Sequence, residues 1–190
     1  MAKHKSKGKG CLLGVLLLAV LCGAVCFFAV PSVLKTLYPA KYDNFVETYT
    51  REYDLEKSFV FAVIKCESSF DPQAVSSVGA RGLMQIMPET FEWLQWKTGE
   101  SLPDDALFDP ETSIRYGCLY YQYLIREFGS EALAVCAYHA GSGNVRKWLA
   151  DERYSSDGKT LDSVPFNSTA SYLKNVMKAK ELYRRLYHIN

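Results

Sequence analysis

Residues 11–30 read CLLGVLLLAVLCGAVCFFAV, twenty positions without a charge, and Lys3, Lys5, Lys7 and Lys9 stand directly before them. A helix needs about 20 apolar residues to cross the hydrocarbon of a bilayer. Basic residues flanking one end hold that end in the cytoplasm. The run is therefore predicted to be an uncleaved, single-pass anchor in the cell membrane. Residues 1–10 then form a basic cytoplasmic tail, residues 31–42 a linker with Pro31 and Pro39, and residues 43–190 one extracytoplasmic domain. The competing reading is a cleaved signal peptide, whose apolar region is usually about 7 to 15 residues long and ends in a small-x-small site. This run is longer and ends Phe27-Phe28-Ala29-Val30-Pro31. Neither Cys22 nor Cys26 has the Leu and small residues expected before a lipid-modified cysteine.

The formal net charge of +1 conceals an uneven distribution. Setting aside the four N-terminal lysines leaves 18 basic against 21 acidic side chains, and the first acidic residue is Asp43. The body is slightly acidic and shows no basic patch, which argues against a nucleic-acid partner. Three of the six cysteines lie in the apolar run, where they serve as small hydrophobes. The body keeps Cys66, Cys118 and Cys136, all on apolar helix stripes, and buried free thiols are expected there. No CxxC or HxxxH spacing occurs, so no metal site is expected.

The body is punctuated as a series of helices, with no alternating strands rich in Val, Ile and Thr. The first covers residues 43–53. The second starts near Glu56, carries Phe59, Ala62, Val63, Cys66 and Phe70 on one stripe, and runs until Pro72 ends it. Residues 73–87 are irregular, with a strand-like kink around residues 80–87. Pro88 opens a helix reaching Lys97, with Gly99 behind it. Asp109 caps a long helix whose inner face is Ile114, Cys118, Tyr121, Ile125 and Phe128, closed by Gly129. Ser130 caps another helix through Ala140, and a short one follows to about Leu149. After a polar loop at residues 151–165, a last helix starts near Ser168, with Tyr172, Val176, Ala179, Tyr183 and Leu186 facing inward.

Three segments carry candidate chemistry. Glu67 lies three residues after Ile64, four after Val63 and seven after Val60, a spacing that surrounds its carboxyl with apolar groups on a helix. Desolvation in such a wall raises a carboxyl pKa and keeps it protonated, as a proton donor to a glycosidic oxygen must be. An ordinary solvated Glu near a helix end is the plainer alternative. In the segment GARGLMQIMPET, residues 79–90, two glycines precede a Leu-Met-Gln-Ile-Met run. It reads either as a loop dipping into the core or as a cleft floor where Gln85 bonds a polar ligand and Met87 packs on its flat faces. At Ala137-Tyr138-His139-Ala140-Gly141, small residues bracket two polar rings at a helix end, which suits close approach of a ligand or a purely structural packing role.

Taken together, Glu67-Ser68-Ser69-Phe70, the stretch from Gly82 to Thr90, Tyr138-His139-Ala140-Gly141 and the late Tyr172 follow one order and spacing. Over residues 43 to 187 the chain resembles the soluble lytic transglycosylase domain of glycoside hydrolase family 23, a relative of goose-type lysozyme. The resemblance implies a mainly α, lysozyme-like fold with a substrate cleft. It implies Glu67 as catalytic acid and base. Ser68, Ser76, Gln85, Met87 and His139 are then expected to line the sugar sites, with Tyr138 and Tyr172 near the reacting bond. His139 departs from the family's usual Asn; it still offers a hydrogen-bond donor, but with a different size and the ability to titrate.

The implied substrate is the peptidoglycan glycan strand, cleaved after N-acetylmuramic acid without water to leave a 1,6-anhydro end, and no cofactor is implied. Most glycosidases use two carboxylates, yet no acidic residue stands between Asp71 and Glu89. A hydrolytic muramidase would draw its second carboxylate from Asp104, Asp105 or Asp109. A non-catalytic wall-binding protein would keep the cleft and discard the context of Glu67.

Overall fold

The computed structural model of the protein describes residues 7–25 and 29–190. Its α-helices in chain order are α1 (Lys7–Ala24), α2 (Val30–Leu37), α3 (Asp43–Tyr53), α4 (Lys57–Ser68), α5 (Pro88–Thr98), α6 (Pro110–Phe128), α7 (Glu131–Ala140), α8 (Ser142–Leu149) and α9 (Asn167–Tyr187). A 3₁₀ turn, Asp104–Phe108, leads into α6. Among the described residues the only β pairing is the two isolated bridges Val75–Arg81 and Arg81–Ile86, so the mainly α reading holds, and the kink falls where it is expected. The chain divides into one unit ending at Pro39 and a second starting at Ala40.

The first unit departs from expectation. The described helix is Lys7–Ala24, offset from the predicted span 11–30 and taking in Lys7 and Lys9. No helix among the described residues is long and apolar enough to cross a membrane. Residues 1–6, most of the expected basic tail, and residues 26–28, inside the expected span, lie outside the described residues. The predicted linker is also helical over much of its length. Pro31 sits in the first turn of α2, where a proline sacrifices no hydrogen bond because that N–H has no intrahelical acceptor.

The second unit is built around α4. Ser58 to Ile64 are buried without interruption, a helix apolar on nearly every side rather than on one stripe. Such a helix must be covered all round, and α9 packs along it most extensively, with α3 on another side. α6, the longest helix after α9, packs against α3 and α7, and α7 returns to α9. The helix ends follow their local chemistry. The Asp109 side chain accepts from the Thr112 N–H at the start of α6, and the Ser130 hydroxyl accepts from the Leu133 N–H at the start of α7. Gly99 and Gly129 close α5 and α6 in the left-handed conformation. Cys118 and Cys136 are buried free thiols and Cys66 is half-buried.

α4 stops earlier than the proline rule implies. Ser69 and Phe70 are both left-handed, at φ of 51° and 67°. The Ser68 hydroxyl accepts from the Phe70 N–H at 3.2 Å and donates to the Leu83 carbonyl at 2.8 Å. That pair of bonds turns the chain just after Glu67 and puts Phe70 into the core, leaving Glu67 in the last turn of a rigid helix.

Candidate active site

Glu67 reaches the surface of the second unit from the end of α4, and Tyr172 of α9 meets it there, donating its hydroxyl to Glu67 Oε1. The Tyr172 hydroxyl lies 3.3 Å from that of Tyr121 on α6. The Tyr121 ring stacks on Tyr138 of α7, with centroids 4.3 Å apart and planes 4° from parallel. The Tyr138 hydroxyl donates to the Met84 carbonyl at 2.6 Å. His139 leans on the Tyr172 ring at 4.7 Å, and its Nδ1 is 3.1 Å from the hydroxyl of buried Thr169. Four elements thus converge on one carboxyl through rings and hydroxyls.

Burial pushes the Glu67 carboxyl up to about 7, opposed only by the hydrogen bond from Tyr172, and no charged side chain takes part in the shift. Burial also holds the Tyr121, Tyr138 and Tyr172 phenols well above their ordinary range, so they remain neutral donors. It lowers His139, favouring the neutral imidazole. At neutral pH the site therefore contains an acid that can give a proton and take one back, among groups that hold hydrogen bonds without charge.

The floor is the segment from Ala80 to Met87, which combines both alternatives weighed for it. Leu83, Met84 and Ile86 dip into the core, while Gln85 and Met87 line a pocket of about 290 Å³ together with Thr90, Tyr120, Tyr138 and His139. Two glycines make this possible. Gly82 is left-handed at φ 76°, and a β-carbon there would strike the Leu107 carbonyl oxygen. Gly117 leaves room on α6 for the buried Met84 sulphur. The loop is tied to itself: Arg81 and Ile86 exchange both backbone bonds, and the Ser113 hydroxyl accepts from the Met84 N–H at 3.2 Å.

Several expected sugar-contacting side chains already have structural partners. Gln85 is left-handed and donates through Nε2 to the Ala74 and Gly82 carbonyls, leaving its side-chain carbonyl as the group available to a ligand. The Ser76 hydroxyl accepts from the Ala80 N–H at 3.0 Å. Ser68 braces the floor through Leu83, and Tyr138 braces it through Met84. Glu67, Tyr138, His139 and Tyr172 are joined in one network. Gln85 and Met87 line the pocket together with Tyr138 and His139, whereas Ser68 and Ser76 do not line it and are bonded to the backbone at Leu83 and Ala80. Sequence reasoning missed Tyr120, Gly117 and Thr169. Thr169 is three residues before Tyr172 on α9, so helical spacing from the late tyrosine was the available signal.

Glu67 itself does not line this pocket but is joined to its wall through Tyr172, Tyr121 and Tyr138, and none of the carboxylates considered as a second catalytic group takes part in that network. Asp109 is occupied in capping α6, and Asp104 sits in an exposed pair with Arg81 at 3.7 Å. Asp105 is exposed in the 3₁₀ turn.

Fold and site together define a helical domain in which a half-buried glutamate is joined through three tyrosines to a ring-lined pocket. Residues 44–161 match the transglycosylase SLT domain family, and the chain belongs to that family. It is similar to the soluble lytic murein transglycosylase of Salmonella typhimurium, 38% identical over 157 residues that make up 80% of this chain and 24% of that protein. It is also similar to the membrane-bound lytic murein transglycosylase C of Mannheimia succiniciproducens, 30% identical over 76% of this chain and 47% of that one. Among solved structures, an inactive glutamate-to-glutamine mutant of the lytic transglycosylase Slt from Pseudomonas aeruginosa superposes with a TM-score of 0.74 at 32% identity, covering 82% of this chain and 26% of its own. The chain thus spans from 24% to 47% of the length of these relatives.

Proposed function

We propose that the domain is a peptidoglycan lytic transglycosylase in which Glu67 acts first as acid and then as base. The observation that carries this reading is a single carboxyl held by burial at about 7, bonded to a neutral tyrosine. The protonated Glu67 delivers its proton to the leaving oxygen of the bond that follows N-acetylmuramic acid. As that bond breaks, the sugar's own 2-acetamido oxygen supports the cationic anomeric carbon, the route open to a glycosidase without a second carboxylate. The Glu67 carboxylate then takes the proton of the 6-hydroxyl, whose oxygen closes on the anomeric carbon. The proton balance returns to its starting point, no water is consumed, and the product ends in a 1,6-anhydro sugar.

The surrounding residues divide the remaining work. Tyr172 orients the carboxyl. Gln85, Met87 and His139 face the strand, and Tyr138 holds the floor of the pocket. Ser68 and Ser76 act as positioning residues through the loop they tie down. The inactivity of the Pseudomonas relative's glutamate-to-glutamine mutant supports a glutamate in the central role. The deciding experiment is mass spectrometry of products from purified peptidoglycan digested in heavy-oxygen water. Unlabelled anhydro-muropeptides are expected. Reducing ends carrying the label would make the protein a hydrolase.

The N-terminal unit is proposed to attach the enzyme to the cytoplasmic membrane, with the domain on the outer side. The support is the uncharged run behind the lysines, the exposure of Leu13, Leu16, Leu17, Leu18 and Leu21 along α1, and the membrane-bound naming of some relatives. N-terminal sequencing of membrane-extracted protein tests it. A mature chain beginning near residue 30 would sink the anchor.

A further inference from the structure

The slightly acidic average of the body conceals one basic face, contrary to what composition leads one to expect. From Asn167 to the C-terminus five basic side chains stand against a single acid, Glu181. The rest of the chain beyond the four N-terminal lysines holds 13 basic against 20 acidic side chains. One of the five, Lys180, is largely buried between Glu56 and Glu131. The other four, Lys174, Lys178, Arg184 and Arg185, are exposed. Glu181 pairs with both arginines, at 3.4 and 2.6 Å, while Lys174 and Lys178 have no carboxylate partner among the described residues. Lys174, Lys178 and Arg185 flank Met177 and Leu182 in a shallow groove on the outside of α9. Apolar side chains set among cations are how a helix meets the headgroup boundary of an anionic bilayer.

Placement and size choose a bilayer over a protein as the occupant. Ala40 is the first residue of the second unit, and its backbone meets the Tyr187 hydroxyl in the last turn of α9. The proposed anchor therefore hands the domain to the membrane at the end of α9. Lys178 lies only about 14 Å along the helix from Tyr187. Tethering at that point holds the face close to the surface at high effective concentration. The opposite side of α9 carries Val176, Ala179 and Tyr183 into the core and Tyr172 to Glu67, so a surface seated on the outer side does not touch the acid's partner. Two apolar side chains are too few for the centre of a protein interface, whereas attraction to anionic lipid needs mainly charge.

We propose that the outer face of α9 rests on the anionic phospholipid surface of the membrane that holds the anchor, so that the catalytic domain works on strands next to the bilayer. The proposal rests on the anchor reading of the N-terminal unit. The full chain is reconstituted into vesicles of phosphatidylcholine, alone or mixed with phosphatidylglycerol, and treated with a membrane-impermeant acetylating reagent. Mass spectrometry gives the rate at each lysine, referred to Lys159 in the exposed loop after α8. In anionic vesicles Lys174 and Lys178 should react at least about tenfold more slowly than in detergent. In phosphatidylcholine alone they should keep the detergent rate, and high salt should restore it in the anionic vesicles. Each cation at an anionic surface is worth about fivefold, so Lys174→Gln should cut the protection of Lys178 by about that factor. Lys57 and Lys180, held in ion pairs, should stay slow throughout and report an intact fold. Lysines left unprotected in anionic vesicles would overturn the proposal while the anchor stands. Slowing that extends equally to Lys97 of α5 would mean attraction without a docking face, and slowing in both lipids alike would make the occupant a second copy of the chain. Either overturns it. If the chain failed to float with phosphatidylcholine vesicles, the anchor reading would fall and this docking with it.

Discussion

Glu67→Gln should make the protein inactive and, above neutral pH, more stable. The sign follows from burial. In the folded protein the Glu67 carboxyl is raised from its ordinary 4.5 to about 7, so between those values the folded state holds a proton that the unfolded chain releases. Stability from this residue is therefore complete below about 4.5 and is lost as pH rises toward 7. Each tenfold change in proton affinity is worth about 1.4 kcal/mol, so the loss approaches about 3 kcal/mol at pH 8. Partial access of water to the half-buried side chain makes that an upper bound. Glutamine occupies nearly the same space and cannot ionise, so the variant escapes the loss. Urea unfolding of both proteins at pH 5 and pH 8 isolates the effect as a difference of differences. The variant should be close to wild type at pH 5 and more stable by about 2 to 3 kcal/mol at pH 8. For a domain of this size that is a gain in Tm of roughly 5 to 10 °C. Turnover of peptidoglycan should fall by at least about 10²- to 10⁴-fold, the typical worth of one positioned proton transfer. A stability difference that does not change with pH would refute the buried-acid account, even if activity were lost.

Tyr172→Phe deletes the donor that favours the Glu67 carboxylate, so the alkaline limb of the kcat/KM profile should move up by about one pH unit; a downward move would mean that the hydroxyl serves another group. Gly82→Ala forces a side chain into left-handed backbone against the Leu107 carbonyl and should cost about 3 kcal/mol or more by thermal unfolding, whereas an unchanged Tm would show that the floor loop can shift freely. Ser58→Ala removes a buried hydroxyl that has no hydrogen-bond partner and should be neutral or stabilising by about 1 kcal/mol in denaturant melts, and a clear loss would reveal a hydrogen bond there.

Helix ends and the candidate acid were legible in the sequence because both depend on nearest neighbours. Asp109, Ser130, Gly99 and Gly129 act within one helical turn of themselves, and each stands where its side chain or its freedom at positive φ predicts. The apolar neighbours Val60, Val63 and Ile64 announce a dry environment near Glu67 for the same reason, since residues three, four and seven apart share a helix face. The segment around Gln85 was readable only as a loop dipping into the core or as a cleft floor, and residue types alone did not choose between the two.

What the tertiary structure decided depends on chain segments far apart in sequence. The Glu67–Tyr172 bond spans 105 residues and the Tyr138–Met84 bond spans 54, and no local pattern specifies either. Only the packing of α9 along α4, and of α6 against α7, brings those hydroxyls to their acceptors. The same packing shows that Ser68 and Ser76 are bound to backbone, a fact invisible when they appear simply as polar residues near a catalytic motif. It also sets Trp93 beside Tyr120 and Tyr123. In the sequence Trp93 is one aromatic in an ordinary short helix, and only the tertiary structure shows that two rings of α6 pack edge-on against it. Local chemistry determined where each helix begins and ends, and burial between distant helices determined which carboxyl could hold a proton at neutral pH.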